Sequence, residues 1–340
     1  MSPRTVVAVP KRELEITQPV DLCLPNGRLN PEAVGWTRTP LIRTNVKRWG
    51  RVKRFEYWAI STPQSVFAFS IGHADYRTSS ASFHLDRAAG STTGDVEARW
   101  FPPAPVNFPE SSGREVVTWR GKRINVTITP GVESTRIQYE GEHLRADIRV
   151  LIPETHESMA VVVPWSDKCF QYTRKDNSLH CEGWIERDGQ REVLDPETAL
   201  AALDHGRGIW PVEVLWNWCC GHGVVDGHEI GLQFGAKWTD GTPSTENSIR
   251  IDGRVYKISE DVQIDYDPAD FMRPWRFSGA GVELVFTPEY NRHAPGKRSF
   301  PMSREDQAFG TYEGHVTAPD GTVYRVADVF GWAEEVHRRW

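Results

Sequence analysis

No stretch of this 340-residue chain approaches the ~18 to 20 consecutive apolar residues needed to cross a bilayer. Nor is there a long run of either charge. With 40 basic and 46 acidic residues the formal charge is −6, which argues against nucleic acid or an anionic membrane surface as the main partner, because both require a concentrated basic face. The five cysteines (Cys23, Cys169, Cys181, Cys219, Cys220) are odd in number and unevenly spread, so they form no disulfide framework and fit a reduced compartment. Met1 to Pro10 is Pro-interrupted and lacks the apolar core of a signal peptide, and the expectation is a soluble, cytoplasmic protein. Also missing are a Gly-x-Ser-x-Gly elbow, a phosphate-cradling Gly-rich loop that opens a helix, and a dinucleotide fingerprint. Covalent serine hydrolysis and nucleotide-dependent chemistry are therefore disfavoured, and no cofactor is expected.

What is present is tryptophan, 14 residues of it, and an internal echo. The first half carries Tyr57-Trp58, Phe69-Ser70-Ile71-Gly72, Ser82-Phe83-His84-Leu85-Asp86, Val161-Val162-Val163-Pro164, then Glu182-Gly183-Trp184 with Asp188-Gly189. The second carries Trp216-Asn217-Trp218, Leu232-Gln233-Phe234-Gly235, Ser248-Ile249-Arg250-Ile251-Asp252, Leu284-Val285-Phe286-Thr287-Pro288, then Glu313-Gly314-His315 with Asp320-Gly321. Two copies of a unit of roughly 130 to 150 residues point to two similar β domains.

Residues 11–50 read as an extended arm anchored by Trp36 and Trp49. Beyond Phe55, Ser65 to Ile71, Glu115 to Trp119, Ile124 to Ile128, Arg136 to Tyr139, Ala146 to Ile152 and Met159 to Val163 alternate as strands do. Arg120-Gly121-Lys122, Glu140-Gly141-Glu142, Asp188-Gly189 and Asp252-Gly253 mark hairpins. Pro196 to Asp204 is Ala/Leu-rich, with Pro in its first turn and Gly206 past its end, and it predicts one short linker helix. In the second half Val212 to Cys220 and Glu229 to Trp238 read as strands joined by a Gly-rich turn, Gly221 to Gly227. Gly331 to Trp340 fits a short amphipathic helix. Meanders of this kind hide their edges by closing, and the expected fold is all-β: two tandem antiparallel barrels with a short linker helix. The expected divisions are an N-terminal arm (1–53), a first β domain (54–195), the linker (196–209) and a second β domain (210–340).

Several segments resemble a known family. They are Trp49-Gly50-Arg51-Val52-Lys53-Arg54-Phe55-Glu56-Tyr57-Trp58, Lys237-Trp238-Thr239-Asp240-Gly241-Thr242 with Thr245-Glu246-Asn247, Met272-Arg273-Pro274-Trp275-Arg276, and Gly331-Trp332-Ala333-Glu334-Glu335 with Arg339-Trp340. Together they are similar to the bacterial domain-of-unknown-function 2804 family, from about Glu15 to Trp340. That family is distantly similar to the lipocalin-like superfamily of carotenoid 1,2-hydratases, AttH-like proteins and tocopherol cyclases. The resemblance implies calycin-type barrels and hands over no activity. In one departure, Cys219-Cys220-Gly221-His222 stands where small or hydroxyl residues are more usual.

The densest polar block is Lys237 to Asn247, with Lys237, Asp240, Glu246 and Asn247 around Trp238. Asp240 or Glu246, sunk beside Trp238, would have a raised pKa and deliver a proton to an apolar substrate, with Asn247 orienting substrate or water. The bland reading is turn chemistry and backbone capping. Glu334 follows Trp332; on a helix, Glu334 and Glu335 would point about 100 degrees apart, so at most one of them would face a cavity. His222 is a candidate acid or base, against a solvated loop histidine. Cys219, Cys220, His222 and His228 lack the spacing common in zinc sites, and no metal is expected. Trp216, Trp218, Gln233, Lys237 and Trp238 are the candidate ligand-binding residues.

The leading expectation is a cofactor-independent enzyme, a hydratase or a cyclase/isomerase. It would carry out a proton-initiated reaction on a hydrophobic, terpenoid-like molecule in the second barrel or at the inter-domain face, with Trp π faces stabilising positive charge. The alternatives are a carrier of a lipophilic ligand without turnover and a carbohydrate-active enzyme with paired carboxylates. Oligomeric state and ligand identity are not legible in the sequence.

Overall fold

Alternating runs bounded by turn residues become strands along nearly the whole chain. The computed structural model describes residues 13–101, 105–294 and 302–339, so Met1 to Pro10 and Trp340 lie outside the described residues. Among the described residues the helical content is a single 3-10 turn, Pro31–Ala33, and no helix is long and apolar enough to cross a membrane.

Two large antiparallel sheets carry the fold. A 15-stranded sheet takes its strands from residues 36–209. A nine-stranded sheet uses Glu213–Val225, His228–Ala236, Asn247–Ile251, Arg254–Ile258, Gln263–Asp265, Trp275–Gly279, Val282–Ala294, Met302–Thr317 and Val323–Arg339. The nine-stranded sheet curls into a half-barrel. Its two outer strands do not pair, yet Ile249 and Ile251 near one end share a core with Trp275 and Phe277 near the other, and the Phe234 and Phe277 rings meet at 5.6 Å.

The larger sheet stays open and branched. Its long strand Phe170–Arg187 explains why. Residues 170–176 pair with Met159–Pro164 on one side and Leu200–Ile209 on the other, whereas residues 181–187 pair with Leu144–Leu151 and Gln190–Leu194. A strand with two sets of neighbours makes the sheet fork. The arms then fold over one another and bury Phe67, Phe69 and Trp119 with Tyr139 and Ile148. Two tandem barrels are therefore not what this chain forms.

The expected linker helix is also corrected. Pro196 to Thr198 is a turn closed on the Asp195 carbonyl, and Leu200–Ile209 is a strand paired with Val52–Ser61 and Phe170–His180. Nine helix-favouring residues cannot outweigh two full ladders of backbone bonds and the burial of Ala199, Ala201 and Leu203. The C-terminal helix fails for the same reason: residues 331–339 lie inside strand Val323–Arg339, paired on both edges. Strand Glu213–Val225 runs through the expected Gly-rich turn, and the reversal falls at Asp226-Gly227. Trp36 anchors the arm at 6% exposure, whereas Trp49 is 77% exposed and anchors nothing.

Candidate functional site

The layer between the two large sheets is assembled by strand alternation. From the open sheet, Tyr57, Ala59, Ala202, Asp204, Thr173 and Lys175 project toward the half-barrel. Trp216, Trp218, Cys220, Phe309, Trp332 and Glu334 meet them from the other side. Three rings form a tight group, with Tyr57 5.4 Å from Trp218 and 6.4 Å from Trp332, and Trp218 5.3 Å from Trp332.

Glu334 sits at the edge of this group, 6% exposed. Its Oε1 accepts from Trp216 Nε1 at 2.9 Å and its Oε2 from Gln307 Nε2 at 3.1 Å. Burial, with the Glu305 carboxylate nearby, pushes its pKa up to about 8, against smaller opposing pulls from Trp216, Lys175 and Arg338. Glu305 itself is held ionised by Arg292 and Arg338 against its own burial. Burial at this position therefore favours the protonated form of the Glu334 carboxyl. Around it the Tyr57 hydroxyl, Gln307 Oε1 and Trp332 Nε1 are buried with no hydrogen-bond partner. Such groups are uncommon in folded proteins and mark a place for water or a ligand's polar atom.

A second polar chain runs through the same layer. Lys175 Nζ bridges Asp204 Oδ2 at 2.8 Å and Glu246 Oε2 at 3.2 Å and lies 4.3 Å over the Trp218 ring. Glu246 Oε1 accepts from Trp238 Nε1 at 2.5 Å, and Gln233 links Glu246 to Trp218 Nε1. Burial raises the Glu246 pKa, and Lys175 offsets this only in part; burial lowers that of Lys175, but its two carboxylates leave it above the ordinary lysine value. Gly235 makes the arrangement possible, because a Cβ there would overlap the Glu246 carboxylate.

The sequence-expected residues divide accordingly. Trp216, Trp218, Gln233, Glu246 and Glu334 come together in the inter-sheet layer, with Trp238 at its rim against Trp165 and Trp210. Asp240 does not join them; it is exposed, and its Oδ1 accepts from the Lys237 backbone N–H at 3.0 Å in a turn. Asn247 clamps backbone, accepting from Gly235 N–H and donating to the Glu260 carbonyl. Lys237 binds Glu335 and Tyr266 on the other face of strand Val323–Arg339. Glu334 and Glu335, adjacent on a strand, point to opposite sheet faces.

His222 is buried, not solvated. Its Nε2 lies 2.6 Å from Ser61 Oγ, and burial, with His180 and Arg250, lowers its pKa to about 3. Cys219 and Cys220 fall on opposite faces of their strand, and burial raises both thiols. Among the described residues no group of three or more His, Cys, Asp or Glu is arranged to hold a metal.

Tyr57, Lys175, Asp204 and Gln307 were missed by sequence reasoning. A charged residue on an alternating strand normally marks a solvent face, and only a second sheet stacked on that face reverses the meaning. An open groove of about 450 Å³, lined in part by Ser65, His84, Asp86, Arg187 and Glu192, lies elsewhere on the larger sheet. Its two carboxylates are engaged separately, Asp86 with Arg187 and Glu192 with Thr62 and Ser65.

A family model described as a domain of unknown function (DUF2804) matches residues 13–340. No curated protein matches the chain in sequence. Among solved structures the chain is similar to CghA (11% identity, TM-score 0.53, 85% of this chain and 88% of that one). It is also similar to CghA with Sch210972 (10%, 0.51, 85% and 88%). A third likeness is to a candidate AttH from Nitrosomonas europaea (13%, 0.50, 84% and 92%). At such identities the likeness is one of fold.

Proposed function

The chain belongs to the domain-of-unknown-function 2804 family, and we propose that it is an enzyme acting on a hydrophobic, terpenoid-like small molecule between its two sheets. The reaction is proton-initiated: hydration, cyclisation or isomerisation. Glu334, not Asp240, is the acid, and the observation that carries this reading is its carboxyl buried beside three aromatic rings, where burial raises its pKa. Its proton adds to a substrate double bond, leaving Glu334 as carboxylate and the substrate as a carbocation. The faces of Trp218, Trp332 and Tyr57 stabilise that charge. Water or a second double bond closes the cation, and the proton released returns to Glu334. The Tyr57 hydroxyl and Gln307 Oε1, which lack partners, orient the water or a substrate oxygen. The Lys175–Asp204–Glu246 chain fixes the floor beneath Trp218. The fold shared with CghA, solved with Sch210972, is consistent with an organic ligand.

The test is native mass spectrometry of protein purified from its host, followed by turnover of the co-purifying molecule. Wild type should convert it and Glu334→Gln should bind it without conversion. Equal retention of an unaltered ligand by both proteins would identify a carrier and refute the enzyme reading.

A further inference from the structure

Trp49, in one of the family-like stretches of the sequence, takes no part in the Glu334 layer and is 77% exposed. Asp75 ties its loop to a distant turn. Asp75 Oδ2 accepts from the Gly50 N–H at 2.5 Å and the Val52 N–H at 3.0 Å, and its Oδ1 meets Arg54 at 3.2 Å. Trp49 is thereby held beside Tyr76, the next residue of that turn. The Tyr76 ring stacks on Trp100 at 5.9 Å, and Arg77, the cross-strand partner of Trp100, lies over the same indole at 5.4 Å. Trp100 is 55% exposed and Phe101 80%. One exposed apolar side chain is ordinary, whereas three gathered along one rim mark a contact surface.

The charge of this rim is one-sided. Residues 47–54 hold five cations and no acidic residue, and residues 99–101 add Arg99 without one. Lys47, Arg48 and Arg51 are exposed. Asp75, the carboxylate that joins the two segments, is buried and engaged by backbone N–H groups and Arg54. The chain as a whole carries −6, so attraction to an anionic surface is local and orients the molecule. The rim also borders the inter-sheet layer. Arg51 Nη2 donates to the Trp210 carbonyl at 2.5 Å, Trp210 meets Trp216 at 5.6 Å, and Trp216 bonds Glu334.

We propose that this rim docks on an anionic lipid bilayer, with Trp49, Trp100 and Phe101 at the headgroup–acyl boundary and Lys47, Arg48 and Arg51 against lipid phosphates. Indole rings favour that boundary because they are amphipathic, and each cation near an anionic surface adds its own attraction. A second copy of the chain fits the rim less well, because a twofold contact would set the same cations against each other. An apolar molecule dissolved in the bilayer would then reach the inter-sheet layer without crossing water. That consequence rests on the Glu334 reading; the docking itself does not.

Co-sedimentation of the full chain with lipid vesicles is the test. Phosphatidylcholine vesicles containing phosphatidylglycerol should bind the protein, pure phosphatidylcholine should bind it far less, and added salt should release it. Trp49→Ala combined with Phe101→Ala should lower partitioning by about tenfold or more. Lys47→Gln and Arg48→Gln should each weaken it about fivefold. Arg325, exposed and paired with Asp226, lies at the other end of strand Val323–Arg339 from Arg338, which neighbours Arg77. Arg325→Gln should therefore bind as wild type does, and so should Glu334→Gln, whose loss of turnover is read separately. Failure to bind the anionic vesicles would overturn the proposal, as would undiminished binding by the rim variants. A dimer in solution that the Trp49→Ala, Phe101→Ala protein loses would assign the rim to a second copy instead.

Discussion

Trp216 and Glu334 are joined by an indole-to-carboxyl hydrogen bond of 2.9 Å, and burial outweighs that bond to raise the pKa of the acid. The pKa of Glu334 is raised from 4.5 to about 8, so its linkage to stability has a definite sign. Below 4.5 folded and unfolded chains both carry the proton. Between 4.5 and 8 only the folded chain keeps it, so stability falls as pH rises, by about 1.4 kcal/mol per pH unit. Glu334→Gln removes this dependence, and Gln307 can turn its amide to meet the new side chain. Urea unfolding of both proteins from pH 5 to 9 should show the mutant gaining on wild type up to about 8. Parallel curves would show that Glu334 is ionised in the fold.

The Lys175 bridge is a buried ion pair with a carboxylate on each side, at 2.8 and 3.2 Å. Lys175→Met leaves Asp204 and Glu246 facing each other without a cation and should cost about 3 to 5 kcal/mol. Pairing Lys175→Met with Glu246→Gln should recover part of this, since one buried charge is removed with its partner. The measurement is a double-mutant cycle by chemical denaturation. Additive costs would mean that the two side chains do not interact.

Local signals in the sequence were legible where local chemistry decides the structure. Asp188-Gly189, Asp226-Gly227 and Asp252-Gly253 all have positive φ at both positions, as two-residue hairpins require, and two of the three were expected. Gly183 and Gly314, from the Glu-Gly-Trp and Glu-Gly-His segments, both sit at positive φ against a neighbouring strand's backbone, where a Cβ would overlap a carbonyl. Closure and partnership were not legible. Whether Pro196 to Asp204 is helix or strand depends on ladders formed with residues far along the chain. Whether Glu334 faces ligand or solvent depends on a second sheet that alternation alone cannot announce. Trp216, Trp218 and Glu246, which the structure brings into the inter-sheet layer, stood out because aromatic and carboxylate groups cluster in sequence. Tyr57 and Lys175 were not, because their neighbours in the site come from the other sheet.

Asp240 gives a direct check on that distinction. Its carboxylate accepts one backbone bond in an exposed turn and touches no group of the inter-sheet layer. Asp240→Asn keeps the turn acceptor and should change stability by less than about 0.5 kcal/mol. Ligand retention and turnover should stay at wild-type levels. A loss of turnover with an intact fold would return Asp240 to the site.

His222 supplies a pH dependence of opposite sign. Its folded pKa lies near 3, against 6.5 for a free histidine, so between 6.5 and 3 the unfolded chain takes up a proton that the folded chain refuses. Stability is therefore present above 6.5 and is lost as pH falls, at about 1.4 kcal/mol per unit. From 6.5 down to 4.5 this loss runs against the gain from Glu334, and the two slopes largely cancel. Below 4.5 His222 acts without that opposition. His222→Gln, which can still donate to Ser61, should then unfold at lower pH than wild type. His205, lowered to about 4, keeps some acid sensitivity in both proteins. An acid transition monitored by tryptophan fluorescence separates the outcomes: a midpoint unmoved by His222→Gln would mean that His222 is already protonated, or solvated, in the native fold.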